Sequence, residues 1–155
     1  MNSPLFKVKH LSMILDLSVS KSVVINAPVS KVWDALTNPQ IIKEYLFGTE
    51  TITDWQVGSE IIFQGEYQGH KYRDKGLVVE NVNNRVLSYR YWTAFSGLED
   101  KPENYSLVTY GLSEEPNQHA KLTWTQKGFA NDAGYNHSET GMDAFLQSIK
   151  QIIER

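Results

Sequence analysis

The chain has 155 residues, a formal net charge of -3 and a pI of ≈ 5.8, with 41% hydrophobic and 21% charged residues. That length fits one domain with a sizeable core, and the composition is globular rather than disordered. Mild acidity without a run of Lys and Arg argues against a nucleic-acid or anionic-membrane partner. The chain has no cysteine, which excludes disulfides, thiol nucleophiles and thiolate metal sites and suits a reducing, cytoplasmic location.

The N-terminus, "MNSPLFKVKHLSMILDL", has scattered charges, no clean apolar region and no small-residue cleavage site, so it does not read as a signal peptide. No apolar stretch approaches the roughly 20 residues needed to span a bilayer. Residues 1–14 read as an N-terminal extension, either a tag, an upstream start or a first strand segment. Residues 15–155 read as a single domain.

Leu15 to Ile25 alternates loosely and then runs Val23-Val24-Ile25, the pattern of a strand. Pro28 suits the first position of a helix, where its fixed φ fits and its missing N–H is no loss. Val29, Val32, Trp33 and Leu36 follow at helical spacing and make one apolar face. Asn38-Pro39 ends that helix, because a residue before proline is pushed out of the α region. Asn38 can then cap a second short helix carrying Ile41, Ile42, Tyr45 and Leu46. On this reading Trp33 anchors the core and Trp55 clamps a hairpin.

From about residue 50 the pattern changes to period two. Strand-like runs are separated by Val57-Gly58-Ser59, Gln68-Gly69-His70 and Asn83-Asn84, each with the chemistry of a short turn. Two more strands flank Glu114 to Gln118. Short connections imply an antiparallel meander. The acidic stretch Glu99 to Glu103 reads as a solvated loop. A last helix is expected, capped by Asn136 with Glu139. Met142, Phe145, Leu146, Ile149, Ile152 and Ile153 form its apolar face. One sheet with a face to hide and one amphipathic helix to hide it make an α+β layered fold.

The order of these segments resembles a known superfamily. "INAPVSKVWDALTNPQIIKEY", "WQVGSEIIF", "GLVVENVNNRVLSY", "LTWTQKGF" and a Gly-bearing last helix are similar to the START-like (SRPBCC, helix-grip) proteins. More narrowly they resemble the family of the activator of Hsp90 ATPase C-terminal domain. The resemblance spans about residues 15–155, and Ala27 to Pro39 is its most specific part. It implies a curved antiparallel sheet of six to seven strands whose first strand is the longest. Two short helices would plug one end, and a long C-terminal helix would pack across the sheet. In many relatives an apolar cavity lies between helix and sheet. One departure is visible: where many members carry Gly-Trp, this chain has Gly141-Met142.

A site in such a fold is lined by inward-facing residues. Alternation points to Ile61, Phe63, Tyr89, Tyr91, Val108, Tyr110, Leu112, Leu122 and Trp124, with Met142, Phe145 and Leu146 from the helix. These side chains either fill the interior or wall a hydrophobic pocket that fixes its ligand by a few hydrogen bonds. His137 and Glu80 are the polar residues placed at the cavity mouth. The four histidines lack metal-site spacing, and no P-loop, G-x-S-x-G or G-x-G-x-x-G is present, so neither metal nor cofactor is expected. Binding of a small hydrophobic or amphipathic ligand is therefore the expected role. A cavity-based enzyme of cyclase or hydrolase type and a chaperone-associated protein are the alternatives.

Overall fold

The computed structural model describes residues 12–155. Most of the N-terminal extension, including His10, lies outside the described residues. Strand β1 (Ile14–Ile25) carries the β-branched run. Pro28 is the N-cap of α1 (Val29–Thr37), with extended backbone at ψ 156, so the helix starts one residue later than its sequence suggests. Asn38, held extended at ψ 112 ahead of Pro39, ends α1 and caps α2 (Pro39–Tyr45). Its side-chain oxygen accepts from the Gln40 amide at 3.0 Å. Two hydrogen bonds brace this break. The Tyr45 hydroxyl donates to the Ala35 carbonyl at 2.9 Å, and the Trp55 indole donates to the Thr37 carbonyl at 2.8 Å.

The meander supplies β2 (Glu50–Ile52), β3 (Glu60–Tyr67), β4 (His70–Val82), β5 (Val86–Trp92), β6 (Ser106–Glu115) and β7 (His119–Phe129). They form one seven-stranded antiparallel sheet in the order β1-β7-β6-β5-β4-β3-β2. The longest strand is β4, with 13 residues against 12 in β1, which corrects the expectation drawn from the resemblance. The β3–β4 turn is Gln68-Gly69, both with positive φ, the twist a two-residue hairpin needs. Between β5 and β6 the chain folds back against the sheet. Lys75 of β4 pairs there with Asp100 at 2.7 Å, and the Trp92 indole donates to the Leu98 carbonyl. Glu99, Lys101 and Glu103 of this segment are exposed, while Asn104 is buried.

Helix α3 (Asp132–Glu154) begins one turn before the expected cap. Asn131, not Asn136, is the N-cap, and its side chain accepts from the Gly134 amide at 2.8 Å. Glu139 is not free to close a capping box because it pairs with Lys21 of β1 at 2.9 Å. Leu146, Ile149 and Ile153 are fully buried on the apolar face. The helix packs chiefly against β1. Toward its C-terminus Lys150 donates to the Val24 carbonyl and Glu154 accepts from the Asn26 amide, which satisfies backbone groups at an edge strand.

Candidate functional site

Because α3 leans on the β1 side, the concave face of β3 to β6 is not fully covered. A partly open cavity of ≈ 290 Å³ remains there. Register explains its wall. In antiparallel strands directly opposed residues share a face. Thr51, Phe63 and Asp74 thus form one row across β2, β3 and β4. Val78, Tyr89, Val108 and Gln126 form a second row across β4 to β7, and Leu87, Tyr110 and Trp124 a third.

Eight residues expected from the sequence line the cavity: Phe63, Tyr89, Tyr91, Val108, Tyr110, Trp124, Met142 and Phe145. Four others, Ile61, Leu112, Leu122 and Leu146, are buried in the surrounding core and do not line it. Glu80 and His137 are both exposed and lie outside the lining. For Glu80 the reason is a bulge. Val78 opposes Tyr89, but Glu80 opposes Ser88, so the extra residue turns the carboxylate to the outer face. His137 falls off the apolar stripe of α3.

Leu46, Thr49, Tyr72, Asp74 and Gln126 complete the wall and were not singled out by the sequence. Asp74 had a signal. It continues the alternation of Val78 and Gly76 along β4, but it sits between Arg73 and Lys75 in a stretch that reads as a polar hairpin.

The aromatic side chains pack as a connected set. Phe63 lies 5.7 Å from Tyr89 and 5.8 Å from Tyr91 between ring centroids, and Tyr89 lies 6.5 Å from Tyr110. Asp74 is only 6% exposed, and its Oδ2 accepts from the Tyr91 hydroxyl at 2.6 Å. Burial raises the Asp74 carboxyl above its ordinary range, opposed by Tyr91 and by the neighbouring Thr93 hydroxyl. Burial likewise pushes the Tyr110 hydroxyl up to about 12. Tyr91 is raised by burial and then by the charge of Asp74. The arrangement can hold an apolar body against aromatic faces and meet one polar group at the Asp74 end. Among the described residues no group of three His, Cys, Asp or Glu is placed to hold a metal ion, and no helix is long and apolar enough to cross a membrane.

The family described as activator of Hsp90 ATPase homolog 1-like protein matches residues 26–154. No curated protein sequence matches the chain. The solution structure of ChR145 from Cytophaga hutchinsonii is similar, with 37% identity and a TM-score of 0.78 over 92% of this chain and 97% of that one. Protein MLL2253 from Mesorhizobium loti shares 26% identity, with a TM-score of 0.71 over 90% of this chain and 98% of its own. PFC0360w, an HSP90 activator from Plasmodium falciparum, shares the fold at 18% identity, with a TM-score of 0.68 over 89% and 96% of the two chains.

Proposed function

Since the chain belongs to the activator of Hsp90 ATPase homolog 1-like family, within the START-like superfamily, we propose that it shelters a small apolar or amphipathic ligand between α3 and the sheet. One observation carries the reading. The space beneath the helix is left open and lined by aromatic side chains, where a solid core was equally open to these residue types. Its volume lies near the lower end of small-molecule pockets, about 300 Å³. Tyrosine hydroxyls and one carboxyl supply the few polar contacts that would orient such a ligand.

The test is thermal unfolding with a neutral hydrophobic probe, Nile red, backed by native mass spectrometry for a copurified molecule. At a hundredfold excess over Kd a bound ligand stabilises by about 2.7 kcal/mol, or about 5–10 °C in a chain of this size. No shift with Nile red or with a diverse apolar library, and no retained mass, would overturn the proposal.

A chaperone partner is the second reading, and the family description is what favours it. Hsp90 ATPase turnover with and without the chain decides it.

A further inference from the structure

Several donors in the cavity wall are committed to the protein itself. Thr49 donates to the Leu46 carbonyl at 2.7 Å, so the hydroxyl contact between Thr49 and Tyr72 uses the Tyr72 proton. Tyr91 donates to Asp74 Oδ2, and the Gln126 amide donates to the Gly128 carbonyl at 3.0 Å. One strong acceptor is incompletely served. Asp74 Oδ1 is buried and makes no well-formed hydrogen bond, with only the Thr93 hydroxyl near the carboxylate besides Tyr91. A buried polar atom without a partner is costly, and more so on a charged group.

The charge of the wall is equally one-sided. No Lys, Arg or His lines the cavity. Arg73 and Lys75 flank Asp74 but alternate to the opposite face of β4, where Lys75 is held by Asp100. Tyrosine hydroxyls serve either sign of ligand charge, so Asp74 alone sets the preference.

We infer that Asp74 selects, among apolar ligands, those that carry a basic nitrogen, whose ammonium group pairs with the Asp74 carboxylate while the apolar body lies among Phe63, Tyr89 and Trp124. The inference rests on the ligand-binding reading above. An ammonium group supplies a charged donor to that carboxylate in a wall rich in aromatic rings, which suits a cation. A carboxylic acid with the same body would bring a second negative charge beside Asp74, with no cation in the wall to offset it.

The experiment uses one rigid body with three head groups: adamantylamine, adamantanol and adamantanecarboxylic acid. Each is titrated into the full chain at neutral pH by calorimetry, with Nile red as a neutral reference. The amine binds tighter than the alcohol by about tenfold or more, the size of one charge-assisted hydrogen bond, and the acid binds weakest. Asp74→Asn removes the amine's advantage over the alcohol. Should that variant not fold, the wild type gives the same information. Its affinity for the amine falls on acidification as Asp74 takes up a proton, and its affinity for the alcohol does not.

An acid that binds as well as the amine overturns the inference, as does a preference that survives Asp74→Asn or is independent of pH. If Nile red binds and the three head groups rank equally, the anchor alone fails. If neither Nile red nor any adamantyl compound binds, the cavity reading fails and takes the anchor with it.

Discussion

Asp74 and Tyr91 meet at 2.6 Å on the inner face of the sheet; burial makes both harder to ionise, the charge of Asp74 raises Tyr91 further, and the Tyr91 hydroxyl in turn holds Asp74 down. The carboxyl, raised above its ordinary value of 3.8, holds its proton more tightly in the folded chain than in the unfolded one. Its contribution to stability is therefore fully present below the ordinary value and is lost as pH rises through the raised one. Asp74→Asn has no proton to lose. Denaturant unfolding at a series of pH values should show the variant gaining on the wild type across that window and running parallel above it. A constant difference at all pH values would mean that the folded carboxyl is not perturbed. Tyr91→Phe acts in a different way. It removes the donor to Asp74 Oδ2, at a cost of about 1–3 kcal/mol. It also raises Asp74 further, so the pH-dependent part should widen to higher pH in this variant.

Helix α3 does two jobs along its length. Its C-terminal half grips the core through Leu146, Ile149 and Ile153, while Met142 and Phe145 are only half-buried and face the cavity. Ile149→Ala leaves a void in close-packed surroundings and should cost about 2–5 kcal/mol. Met142→Ala enlarges a space that is already open and should cost less than half as much. Urea unfolding of both variants checks the contrast; equal costs would mean that the helix is packed uniformly. The α1–α2 break depends on a contact with the loop after β2. Trp55→Phe removes the indole donor to the Thr37 carbonyl at the end of α1 and should cost about 0.5–1.5 kcal/mol. The role of Trp55 thus extends past the hairpin clamp expected from its place before Val57-Gly58, because it ties that loop to the helix pair. A period-two or helical pattern reveals each element; it does not reveal which distant carbonyl an indole will reach.

Across the whole molecule, what is local was legible in the sequence and what is long-range was less so. Alternation from Phe63 to Trp124 assigned the inner face because side chains on a strand repeat every two residues. Register then decided which inner residues line the cavity and which fill the core, separating Tyr110 from Leu112 on one strand. A bulge between β4 and β5 changes the parity at Glu80, and nothing in "GLVVENV" announces an unpaired residue. The polar neighbours of Asp74 hide its parity in the same way. The cavity itself arises from where α3 lies, a choice made between elements. That makes Met142 the position at which the proposed function can be tested with least disturbance to the fold. It lines the cavity from the helix side and is half-buried. Met142→Trp places an indole where the protein already has unfilled space, so the strain of overpacking, about 1–3 kcal/mol in a dense core, should be largely avoided. The unfolding midpoint without ligand should therefore stay near that of the wild type. Stabilisation by Nile red should fall by more than half, because the indole and the probe compete for one volume. A variant that keeps both its midpoint and its full response to the probe would place the binding site elsewhere on the molecule.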